Sequence, residues 1–179
     1  MASAARPRTD ALPTALEETR LLGARWLAER GVQLNDIARL VFELQQGFIP
    51  GLRLEHCLDS VERVLEKREV CNAILTGIAL DTLAESGALP EPLQSIVRSD
   101  DHLYGIDEVL ALSICNIYGS IGFTNFGYLD KVKLGVVGET DALGHDGVHV
   151  NTFLDDLVSA IAAAAAARLA HHQRDGLLS

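Results

Sequence analysis

The chain has 179 residues, of which 48% are hydrophobic, 22% charged and 5% aromatic, with 15 glycines and 5 prolines. That length and apolar content suit one domain with a sizeable core and exclude a disordered tail, a collagen-like repeat and a small disulfide scaffold. With 15 Lys+Arg against 25 Asp+Glu, the formal net charge of −10 argues against non-specific DNA or RNA binding and against adhesion to an anionic membrane surface.

Residues 1–12 are expected to form a flexible start. Pro13 and Thr14 then open a helix that passes Leu16, Leu21, Leu22 and Trp26 and stops at Gly31. Asn35 is the expected cap of a second helix, where Ile37, Leu40, Val41 and Leu44 recur at i, i+3, i+4 and i+7, and Gly47 ends it. Residues 54–86 read as a long helical stretch, bent or broken near Arg68 and closed by Gly87. Pro90 and Pro92 punctuate a short helix carrying Leu93, Ile96 and Val97. A further helix starts at Asp107 and runs through Leu110, Leu112 and Ile117. In GSIGFTNFGYLDK (119–131) the spacing of Gly119, Phe123 and Gly127 predicts a close-packed or broken helix rather than a regular one. The glycine-rich segment 135–150 predicts a loop. Asn151 or Thr152 caps the last helix, which runs to about His172 and leaves 173–179 as a flexible end. No β-alternation or hairpin dipeptide interrupts this pattern. The expected fold is all-α, a single-domain multi-helix bundle over 13–172.

Cys57, Cys71 and Cys115 form no CxxC pair, are odd in number and lie in apolar, helix-like stretches. They read as free buried thiols of a reducing cytoplasm. The N-terminal segment has no apolar core of secretory length, and the strongest apolar run, 157–167, is mostly alanine and shorter than the about 20 residues that span a bilayer. A soluble cytoplasmic protein without a transmembrane segment is expected. The alanines at 162–167 permit close helix approach, either within the chain or in a homo-oligomer.

Three acidic groups follow one another: Asp107-Glu108, Asp130 beside Lys131, and Asp155-Asp156. The first and third head apolar helices, where acids complement the helix dipole and cap exposed N–H groups. The other reading has carboxylates converging from separate helices on Mg²⁺, a hard cation that takes oxygen ligands. In ERVLEKRE (62–69), Arg68 either belongs to a solvated face or reaches a phosphate. His145, Asp146 and His149 form a weaker metal candidate in the glycine-rich segment. No GxxxxGK(S/T), GxGxxG, HExxH or GxSxG pattern occurs, which argues against the common nucleotide, dinucleotide, zincin and serine-hydrolase chemistries.

The order GIDEVLALSI, GYLDK, FLDDLVSAIAAA resembles the phosphatidylglycerophosphatase A family, most closely its soluble helical branch. The likeness continues upstream through VERVLEKREVCNAILTGIALDTLAESG (61–87) and covers roughly 15–172. The Gly-Thr-x-Gly-Ser segment that begins the membrane-spanning members has no counterpart here. The resemblance implies a Mg²⁺-dependent phosphatase that removes the terminal phosphate of phosphatidylglycerophosphate or a related phosphomonoester. By position it implies Asp107, Glu108, Asp155 and Asp156 as metal ligands, and Asp130, Lys131 and Asp107 as catalytic residues. Lys131, Lys133 and Arg68 fall to substrate binding. A phosphomonoester of about two negative charges needs a cation between itself and such carboxylates, with lysine offsetting the charge that builds on the phosphoryl group. The rival readings are an all-α nucleotide pyrophosphatase and a non-catalytic helical interaction module whose acids only cap helices.

Overall fold

The computed structural model describes residues 15–174; the expected flexible 1–12 segment, the helix start at Pro13 and Thr14, and residues 175–179 lie outside them. The described residues form α1 (Ala15–Glu29), α2 (Leu34–Gln45), α3 (Leu54–Leu65), α4 (Arg68–Glu85), α5 (Leu93–Arg98), α6 (Ile106–Cys115), α7 (Ser120–Val132), α8 (Val136–Gly144) and α9 (Leu154–Arg174). No strand occurs among them. The all-α bundle expected from the sequence is the fold found.

Its axis is α9. Every side chain from Leu154 to Ala167 is buried, and α2, α3, α4, α6, α7 and α8 all pack against this one helix. A helix that is apolar on all sides has to be enclosed, and the alanines let its neighbours come close. Ser60 Oγ of α3, for instance, donates to the Ala165 carbonyl at 2.9 Å. The alanine run is therefore consumed by packing within the chain and offers no outward face to a second copy.

A second close crossing is made by α4. A Cβ placed on Gly77 would lie 2.6 Å from Leu157 Cδ1 and 2.9 Å from Phe153 Cβ. Only a missing side chain allows α4 to lie against α9 there. The three cysteines are free and buried, and burial pushes the Cys57 and Cys115 thiols up to about 11 and about 12.

Several local expectations change. The second helix starts at Leu34, with Gln33 N–H donating to Asp36 Oδ2 at 3.2 Å, so Asn35 lies inside the first turn and does not cap it. The long 54–86 stretch does break where expected, at residues 66–67 just before Arg68. Residues 120–132 form a regular α-helix despite their glycines. Residues 136–144 are helical as well, where a loop was expected. Val136, Val137 and Thr140 recur as one buried stripe, and Gly135 and Gly144 mark the ends of that helix. This periodic signal was hidden by glycine content.

Candidate active site

The site is built at the N-terminal end of α9, and an aspartate from another helix fixes that end. Asp81 of α4 is fully buried and accepts from Phe153 N–H at 3.1 Å and Leu154 N–H at 3.1 Å. Asn151 and Thr152, the expected caps, are used elsewhere. Asn151 Nδ2 donates to the Thr140 carbonyl at 2.7 Å, and Thr152 Oγ1 donates to the Val97 carbonyl at 2.6 Å. Arg30 completes the clamp, donating to the Val150 carbonyl and to Asn151 Oδ1, each at 2.6 Å, while pairing with Glu85 at 2.7 Å. The residues just before α9 are thereby tied to α1, α4, α5 and α8. Asp155 and Asp156, one turn further on, inherit that fixed position.

A cleft of about 310 Å³ opens at this end of the bundle. Asp107 and Glu108 reach it from the first turn of α6, Asp130 from the last turns of α7, and Asp155 and Asp156 from α9. All five carboxylates expected from the sequence line this one cleft. Lys133 lines it too. Lys131 and Arg68 do not: Lys131 is exposed on α7, and Arg68 is the exposed first residue of α4. Helical geometry explains both. Lys131 is rotated about 100° from its neighbour Asp130, and Arg68 lies about 20 Å along α4 from Asp81 at 1.5 Å per residue.

Lys133 ends α7 in a left-handed conformation, φ 52° and ψ 54°. Its ammonium lies 3.0 Å from Asp130 Oδ1, 2.6 Å from Asp155 Oδ2 and 3.4 Å from Asp141 Oδ1. Burial opposes its charge, but Asp155 and Asp130 outweigh burial and hold it above the ordinary lysine value. Asp155, 8% exposed, is raised to about 6 by burial, with Lys133 pulling the other way.

Asp156 is different. It is 5% exposed, lines the cleft, and its carboxylate has no hydrogen-bond or ion-pair partner among the described residues. Burial, then the charge of Asp155 and Asp130, raises it to about 8. Asp107 Oδ1 is likewise buried without a hydrogen-bond partner. Two carboxylates facing one cleft thus hold acceptor capacity that the protein leaves unused, and for the buried Oδ1 of Asp107 that is costly.

A further wall of the cleft is the loop over residues 99–105. Asp100, Leu103 and Gly105 all take positive φ, 49°, 67° and 68°. These three reversals turn Asp100, Asp101 and His102 toward the cleft. Tyr104 anchors the loop edge-to-face on Phe153, ring centroids 5.9 Å apart at 87°. Burial, then the nearby Asp107, raises Asp100 above the usual carboxylate range. The run Ser-Asp-Asp-His before a helix start was the available signal for this wall.

Among the described residues, no three acidic, histidine or cysteine side chains are gathered as a ready-made metal cage. That includes the weaker candidate at 145–149. Asp146 is spent on its own turn, accepting from Val148 N–H at 2.7 Å and His149 N–H at 2.8 Å and pairing with the His149 ring at 2.7 Å. No helix of the described residues is long and apolar enough to cross a membrane.

The comparisons with known proteins agree with one another. The family model for phosphatidylglycerophosphatase A matches residues 27–171. Two uncharacterized proteins of Bacillus subtilis, YpjQ and YutG, are similar to this chain. YpjQ is 58% identical over 149 residues, 83% of this chain and 82% of its own length. YutG is 57% identical over 148 residues, 83% of this chain and 88% of its own length. The crystal structure of the low temperature requirement C protein of Listeria monocytogenes superposes with a TM-score of 0.85 at 58% identity, covering 90% of this chain and 99% of that one.

Proposed function

Because the chain belongs to the phosphatidylglycerophosphatase A family, we propose that the acidic cleft hydrolyses a phosphomonoester with the help of Mg²⁺, phosphatidylglycerophosphate being the substrate the family description names. The observation that carries this reading is the buried, unpartnered carboxylate of Asp156 facing the cleft beside the orphaned Oδ1 of Asp107. Two unsatisfied hard-oxygen acceptors in a site surrounded by negative charge fit a hard cation. Mg²⁺ is such a cation, keeping several waters and using one or two carboxylates together with substrate phosphates.

In this reading the unpartnered carboxylates of Asp107 and Asp156 would hold the ion directly, with Glu108, and Asp155 once Lys133 releases it, placed to bind its waters. Bound there, the ion would neutralise phosphoryl oxygens and lower the pKa of a coordinated water. Hydrolysis then needs water to add at phosphorus, the ester P–O bond to break and the leaving alkoxide to take a proton. The chain's part is positional and electrostatic. Lys133 supplies the cation that faces the phosphoryl group, a role expected first of Lys131, on which the family's Asp-Lys step falls, with Lys133 beside it. Asp130 and Asp141 hold its ammonium in place.

The test is phosphate release from phosphatidylglycerophosphate in detergent micelles, from glycerol phosphate and from nucleoside triphosphates, each with Mg²⁺ and with EDTA. Release of orthophosphate from the lipid, abolished by EDTA, is the expected result. Pyrophosphate released from triphosphates would move the site to the nucleotide pyrophosphatase reading. No release from any of them, with Mg²⁺ binding absent, would leave the acids as helix caps.

A further inference from the structure

At the other end of α9 the sign of the surface reverses. A second cleft, of about 410 Å³, lies between the α3–α4 junction and the last turns of α9. Arg63 and Lys67 enter it from the junction, Arg168, His171 and His172 from α9, and Tyr118 from the turn before α7. Its lining carries three permanent cations, Arg63, Lys67 and Arg168, against one acid, Glu66, in a chain whose formal net charge is −10. Counting 16 residues from Asp156 to His172 at 1.5 Å each, this cleft lies about 24 Å along the axis from the acidic one.

A helix C-terminus attracts cations by its dipole, which accounts for His171 and His172. It also accounts for Arg63, in the last turn of α3, but not for Lys67, which stands at the N-cap of α4, the end where the dipole disfavours a cation. Local pairing takes up Arg63 and Arg168, and Glu69 acts on Tyr118 from nearby, but Lys67 is left over. Glu66 accepts from Arg63 at 3.1 Å, and Asp59 is shared between Arg63 at 3.5 Å and Arg168 at 3.4 Å. The Lys67 ammonium and both imidazoles have no hydrogen-bond or ion-pair partner among the described residues. Tyr118 is half-buried, and burial keeps its phenol above the ordinary value with Arg168 opposing, so it faces the cleft as a neutral hydroxyl donor. Guanidinium, ammonium, imidazole and phenol together form a donor set for a phosphate group.

We propose that this basic cleft is a second ligand site, distinct from the acidic one, that binds a phosphate-bearing anion without a metal ion. Its size admits a phosphate with a short organic stem. The phosphate belongs either to a free ester or to a lipid headgroup, and the experiment separates the two.

The full chain is kept in EDTA, so that the acidic cleft repels anions, and titrated with inorganic phosphate while the His171 and His172 ring signals are followed by NMR. In parallel it is sedimented with phosphatidylcholine vesicles with and without phosphatidylglycerol. Saturable shifts of both rings, reduced by salt and weakened roughly tenfold in Lys67→Gln by loss of one charge-assisted contact, are the expected result and identify a free-phosphate site. Sedimentation only with phosphatidylglycerol vesicles, lost in Lys67→Gln, identifies a headgroup site. Lys67 is exposed, and the variant should keep its hydrolytic activity and its melting temperature. Ring signals that move with neither probe, or binding equal in wild type and Lys67→Gln, overturn the proposal.

Discussion

Lys133 Nζ lies 2.6 Å from Asp155 Oδ2, so the ammonium of the acidic cleft is paired with one of the carboxylates that a metal would otherwise claim. Lys133→Met leaves Asp155 buried and unpaired. The expected loss is about 1–3 kcal/mol, below the value for a fully enclosed pair because the cleft is open to water. Adding Asp155→Asn to Lys133→Met should restore most of it. Urea unfolding of the four proteins measures the coupling, and strictly additive losses would mean that the pair contributes nothing.

The two unpartnered acids should report on metal directly. Mg²⁺ is expected to raise the melting temperature of the wild type. Asp107→Asn and Asp156→Asn should each weaken that binding by roughly tenfold or more, since each removes a charged ligand where one or two carboxylates do most of the holding. Calorimetric titration gives the affinity independently of turnover. Affinities unchanged in both variants would falsify the metal assignment.

Gly77 offers a packing test. In Gly77→Ala the added methyl meets Leu157 and Phe153 at under 3 Å, and α4 has to move away from α9. A destabilisation of about 1–3 kcal/mol is expected from overpacking, although alanine is the better helix former. A neutral or stabilised variant in urea unfolding would show that the two helices separate easily.

Asp81 makes stability depend on pH. Burial raises it from an ordinary 3.8 to about 8, outweighing its backbone hydrogen bonds. Between those values the folded chain keeps a proton that the unfolded chain has released, so stability falls as pH rises across this window and levels off above it. Asp81→Asn removes that part of the slope while leaving one oxygen to accept from the start of α9. Unfolding series at about pH 5 and about pH 8 should show a shallower slope in the variant; identical slopes would mean that the carboxyl is ionised in the fold.

The helices were legible wherever apolar residues recur with a period of 3.6, as at Ile37, Leu40, Val41 and Leu44. Residues 136–144 were missed because Gly135, Gly138 and Gly144 look like loop chemistry, whereas two of them bound a helix. Within the cleft, the five acids were legible because each sits next to a helix end in a recurring order. The choice between Lys131 and Lys133 was not. It turns on a left-handed backbone at Lys133 that swings its side chain back over Asp130, and a lysine carries no sequence mark for that. Asp100 and Asp141 reach the site by tertiary placement alone, from a loop with reversed φ at several positions and from a helix that the sequence hid.

The enclosure of α9 also governs how the chain reaches its fold. The helix on which α2, α3, α4, α6, α7 and α8 converge is the last of them in sequence, and the Ser60–Ala165 bond joins residues 105 apart. Helices made earlier can pair with one another, α2 with α3 and α1 with α4, but the core that joins those pairs closes only when this segment arrives. Helical proteins usually fold fast because their contacts are local. Here, the joining of the core waits on its last helix, and folding should be slower than for an all-helical chain of this size built from neighbouring pairs alone.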